Sequence, residues 1–98
     1  MHETNHQVIC TLTYHLVEKI TGWYGQTTNR TVHRIQLYTD TISTAKNTFP
    51  LKHVHDMSYK PFSSGAGLFY LHTSQGVFMF EVEANPSTFI QAYKQLRS

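Results

Sequence analysis

Residues 68–82 constrain this chain more than any other segment. Leu68 to His72 and Val77 to Val82 are two short apolar-rich runs separated by Thr73-Ser74-Gln75-Gly76, the pattern of two strands joined by a tight turn. Immediately beyond, Asn85-Pro86-Ser87-Thr88 reads as a helix start. Asn85 can accept from the free N–H groups there, and Pro86 suits the first helical position because its missing donor would have had no partner. Phe89, Tyr93 and Leu96 then recur at intervals of four and three, with Ile90 and Ala92 beside them, so one stripe of the helix is apolar and needs a sheet to cover. Lys94 and Arg97 fall in the last turn, where cations oppose the helix dipole.

The remainder extends the β reading. Val8, Cys10, Leu12, Tyr14 and Leu16 alternate with Ile9, Thr11, Thr13 and His15, as in a strand with one buried face. Residues 8–20 also carry Ile9, Leu12, Leu16 and Ile20 at helical spacing; the Thr, Val, Ile and Tyr content favours the strand. In residues 21–31 two glycines bracket Trp23-Tyr24 and a polar stretch follows, which reads as a loop with room for a short strand. Residues 32–38 alternate again, Thr39-Asp40 turns the chain, and residues 41–45 form a short partner strand. Phe49-Pro50-Leu51 leads through a turn into a strand starting near His55, and Pro61 with residues 63–67 makes a flexible connection. The expected architecture is mainly β, six or seven strands, with one C-terminal α-helix and a single domain over residues 1–98.

Composition narrows the function classes. Eight Lys/Arg against six Asp/Glu are spread along the chain without the clustering a nucleic-acid footprint needs. Cys10 is the only cysteine, which excludes an intrachain disulfide and suits a reducing compartment. No stretch approaches the ~18 apolar residues of a spanning helix, and Met1-His2-Glu3-Thr4-Asn5-His6 is too polar for a secretory leader, so a cytoplasmic setting is expected.

Seven histidines are the oddest feature. In an extended strand His53 and His55 would point to one face and could share a metal, with His33 or His72 completing the set; a turn near Val54 would separate the two rings. Protonating all seven adds seven charges to +2 and gives +9, which would loosen an oligomer between about pH 7 and 5. Residues 63–67 look like a phosphate cradle but lack the following Lys-Ser/Thr and lie between two strands. Cys10 sits on the buried face of its strand as a packed thiol, and Glu81 and Glu83 read as a solvated strand face. No catalytic residue, cofactor or firm metal site emerges. Trp23 and Tyr24 are the best candidates for partner contact, since large aromatics on a mobile loop bury much area; the alternative is that Trp23 folds back over the core.

The run Gln36-Leu37-Tyr38-Thr39-Asp40-Thr41-Ile42, then Phe49-Pro50-Leu51 with Val54 and Met57, then the final hairpin and helix, resembles bacterial members of the pleckstrin-homology-like superfold over residues 31–96. The resemblance implies a partly open barrel of two nearly orthogonal antiparallel sheets, with the last helix covering one open end. It also implies any of three roles: lipid-headgroup binding, peptide binding or self-assembly. Members that bind phosphoinositides gather Lys and Arg in the loop between the first two strands. Here that loop offers Arg30, with Lys19 at its start, amid Gln26, Thr27, Thr28 and Asn29, which argues against lipid-phosphate binding. The expectation is therefore a protein-interaction or self-assembly module, a homo-oligomer included, with Trp23, Tyr24, His53 and His55 as partner-binding candidates. Small-ligand or headgroup binding is the alternative, and a metal-dependent activity at His53 and His55 ranks behind it.

Overall fold

The structure, a computed structural model, describes residues 7–63 and 65–97. The reading of Met1 to His6 as too polar for a leader, and the part of the 63–67 connection at Ser64, lie outside the described residues. Among the described residues seven strands and one helix follow in the order β1 (Cys10–Gly22), β2 (Gly25–Leu37), β3 (Thr41–Ser43), β4 (Thr48–Pro50), a 3-10 turn (Leu51–His53), β5 (Val54–Pro61), β6 (Gly67–Thr73), β7 (Gly76–Val82) and α1 (Ser87–Arg97). The chain is thus mainly β with a C-terminal helix, as its alternation demands.

The strands form one antiparallel ladder in the order β4-β3-β2-β1-β7-β6-β5, open between β4 and β5. The two halves expected as separate sheets are joined by a single backbone pair, His15 opposite Glu81. At this joint the sheet bends, so that Phe49 of β4 reaches Phe78 of β7 with ring centroids 4.9 Å apart. The core lies in the concavity: Leu12, Ile35, Leu37, Ile42, Val54, Met57, Phe69, Leu71 and Val82 are all buried. β6 shows why the alternation was legible, since its odd-numbered residues are buried and its even-numbered ones half-buried.

α1 covers this concavity. Asn85 Oδ1 accepts from the Ser87 N–H at 2.9 Å, and the Pro86 carbonyl accepts the first helical bond from Ile90 at 2.9 Å. Phe89 then meets Phe69 nearly edge-on, with centroids 5.8 Å apart. Tyr93, also buried, donates its hydroxyl to the Val54 carbonyl at 2.9 Å.

Several boundaries differ from expectation. β1 starts at Cys10, leaving Val8 exposed, and the strand expected over 41–45 ends at Ser43 because the Ala45 N–H turns inward to the Tyr14 hydroxyl at 3.2 Å. The largest difference from expectation lies in residues 21–31. They are not a loop but the outer half of a ribbon in which β1 and β2 pair without interruption from Cys10 and Leu37 to Gly22 and Gly25.

Candidate interaction surface

From Val17 to Arg30 every residue except Gly22 is exposed, so both faces of the outer ribbon meet solvent. No face is buried, and the apolar-polar alternation that marks a half-buried strand is therefore absent. The local signal for extended chain is instead β-branched content: Val17, Ile20, Thr21, Thr27, Thr28 and Thr31. The radius of gyration of 15.4 Å exceeds the ~13 Å of a compact chain this long, and the long axis reaches 54 Å against 23 Å for the shortest. The ribbon is an arm standing off the core.

Trp23 and Tyr24 occupy its tip. The turn closes on Gly25, whose φ of 123° lies in a region that side-chain-bearing residues rarely adopt. Trp23 is 97% exposed and Tyr24 67%, with their rings perpendicular at 5.8 Å. Trp23 does not fold back over the core: an arm of this length carries it beyond reach.

The arm is pinned at its base by side chains rather than by an extended ladder. Arg30 of β2 reaches across β1 to Glu81 at 3.0 Å, and His15 Nε2 lies 2.7 Å from Glu83. The His15 side chain is almost wholly buried, and its Nδ1 has no hydrogen-bond partner among the described residues. Glu83 is solvated as expected and Glu81 partly so, and both also anchor the joint, a role that their spacing alone could not reveal because Arg30 lies 51 residues from Glu81.

At the same end, an open cleft of about 530 Å³ is lined by Val32, His33, Arg34, Gln36, Ser43, Thr44 and Ala45. It forms where β3 stops pairing with β2, since β3 meets only Gln36 and Leu37. Thr31 Oγ1 and His33 Nε2 lie 2.8 Å apart beside it.

The histidine cluster does not assemble. His53 ends the 3-10 turn while His55 lies in β5, and a bulge between Val54 and Asp56 breaks the alternation that would have put both rings on one face. His72 bonds Ser58 across β5 and β6 at 2.8 Å, and His33 packs near Tyr14, so the four candidates are dispersed. Among the described residues no three His, Cys, Asp or Glu side chains gather as metal ligands would. Both His53 and His55 are exposed, near the β5 edge. Cys10 is a free thiol packed against the rim of the core.

No helix among the described residues is long and apolar enough to cross a membrane. Comparison of the chain with family models, with curated proteins and with solved structures finds no match.

Proposed function

We propose that this chain is a non-enzymatic interaction module of pleckstrin-homology-like architecture, which engages protein through the β1–β2 arm. The observation that carries the reading is the position of Trp23: a fully solvated indole at the tip of a ribbon with no buried face. A two-stranded ribbon is marginal by itself in water, and an exposed aromatic pair gains most by covering its area against a partner. The architecture is supported by the strand order and by a terminal helix that fills the concavity of the bent sheet. A cytoplasmic setting is supported by the single free thiol.

Headgroup or small-ligand binding ranks second. The cleft beside β3 is roomy, but among its lining residues Arg34 is the sole Lys or Arg, against the clustered cations that phosphate recognition draws on.

Co-purification from the source cell tests the first reading. Tagged wild type should retain a stoichiometric protein partner, a second copy included. Trp23→Ser with Tyr24→Ser should lose it, and His55→Ala should not. Equal retention by wild type and the tip variant would remove the arm from the interaction.

A further inference from the structure

We infer that the arm's occupant is a second copy of this chain, paired antiparallel along the free outer edge of β2 with the two-fold axis at Asn29. The inference rests on the reading of the arm as the interaction element and names its partner.

Main-chain groups alternate in direction along a strand. The Leu37 carbonyl accepts from Ile9 N on the β1 side, while Tyr38 N donates to the Thr41 carbonyl on the β3 side. Counting back along β2, Gln26, Thr28, Arg30, Val32 and Arg34 direct their N–H and C=O groups away from β1. β3 pairs only with Gln36 and Leu37, so among the described residues these five form an edge with no strand beside it.

That edge carries charge at Arg30 and Arg34 but lacks the bulge and the prolines that blunt the other edges of the sheet. β5 carries a bulge between Val54 and Asp56, charges at Asp56 and Lys60, and Pro61; β4 is three residues long and ends in Pro50. Residues 25–34 contain no proline and no acidic residue, and are rich in threonine. The matching edge of β1 is shorter, since β1 meets β7 at His15.

Self-pairing also satisfies symmetry. An antiparallel pair of identical strands has its two-fold axis through one residue opposite its own copy. With Asn29 on the axis, Thr28 faces Arg30 of the second copy and Gln26 faces Val32. These pairs and their symmetry mates form about eight main-chain hydrogen bonds with no like charges directly opposed. Moving the axis to Arg30 would set that arginine against itself. In the Asn29 register Tyr24 arrives beside Arg34 of the second copy, where a ring and a guanidinium attract. Trp23 arrives at the cleft that opens where β3 ends, so the most exposed side chain meets the notch that terminates the free edge.

Sedimentation of the full chain over a range of concentrations should show a monomer–dimer equilibrium. The emission of Trp23, the only tryptophan, should shift to the blue with the same midpoint. Val32→Lys, at an exposed position, and Thr28→Pro, which removes an edge donor without touching the β1 ladder, should each weaken the dimer by about tenfold or more while circular dichroism stays unchanged. Introducing Asn29→Cys into a Cys10→Ser background should yield a disulfide-linked dimer under mild oxidation, since the two copies of residue 29 would lie at a non-hydrogen-bonded pair. Thr31→Cys in the same background should not. A monomer at every concentration, or equal cross-linking at 29 and 31, overturns the inference. If in that case the tip variant still loses a different protein from the cell, the proposed function stands without it.

Discussion

The Tyr93 hydroxyl donates to the main-chain carbonyl of Val54, the first residue of β5, across 39 positions of sequence. Arg97 donates to the same carbonyl and stands over the Tyr93 ring at 5.7 Å. One acceptor on an otherwise open strand edge thus fastens the last two turns of α1. Tyr93→Phe removes one of two donors and leaves the carbonyl bonded, so the expected loss in urea unfolding is about 1 kcal/mol. Tyr93→Ala also opens a cavity under the helix, and about 3–5 kcal/mol is expected. Equal losses for the two variants would mean that the ring does not fill the core.

Burial raises the Tyr93 pKa, and Asp56 adds to this while Arg97 opposes it. The folded state therefore holds the phenolic proton more tightly than the unfolded chain. This contribution to stability is fully present below the unfolded pKa of about 10 and is lost as pH rises through the folded value. Wild type should lose stability above about pH 10 more steeply than Tyr93→Phe. Parallel alkaline profiles for the two proteins would assign the loss to other groups.

Gly25 and Gly76 close two turns with nearly the same backbone angle, φ of 123° and 125°, but at different depths in the fold. Alanine at Gly76 strains the hairpin that carries Phe78 and Phe80 into the concavity, and about 1–2 kcal/mol of global stability should go with it. Alanine at Gly25 strains only the tip. Global stability should change by less than about 0.5 kcal/mol, while amide exchange in residues 17–30 should quicken. Exchange mapped by fragment separates the two outcomes.

What the residues announce depends on what is buried. The hairpin of β6 and β7 and the stripe of α1 were legible because one face of each is covered, and burial imposes a period. The outer ribbon has no covered face, so Thr27, Thr28 and Asn29 look like loop although they are paired with Ile20, Lys19 and Glu18 respectively. The exposure of Trp23 follows from the arm's length and was equally hidden. For His53 and His55 the residues suggest a turn near Val54 that separates the rings, and a 3-10 turn ending at His53 followed by a one-residue bulge stands there; the bulge itself, which reverses facing, has no mark in His-Val-His-Asp. Aromatic content between glycines marks Trp23 and Tyr24 in the sequence, whereas the free edge of β2 becomes visible only once β3 is known to stop at Ser43.

The joint between arm and core is held by few contacts. β1 and β7 share one backbone pair, and the Arg30–Glu81 bridge lies across it with both side chains partly exposed, 48% and 35%. A bridge so open to water is worth up to about 1 kcal/mol, so Glu81→Gln should barely move the unfolding midpoint. Its effect should be on the arm's orientation, because Arg30 then loses its charged partner while the β1–β2 ladder stays intact. The emission anisotropy of Trp23 at concentrations that keep the chain monomeric should fall, and added salt should lower it in wild type toward the variant value by screening the bridge. Unchanged anisotropy in Glu81→Gln would show that backbone pairing and the His15–Glu83 contact hold the arm by themselves.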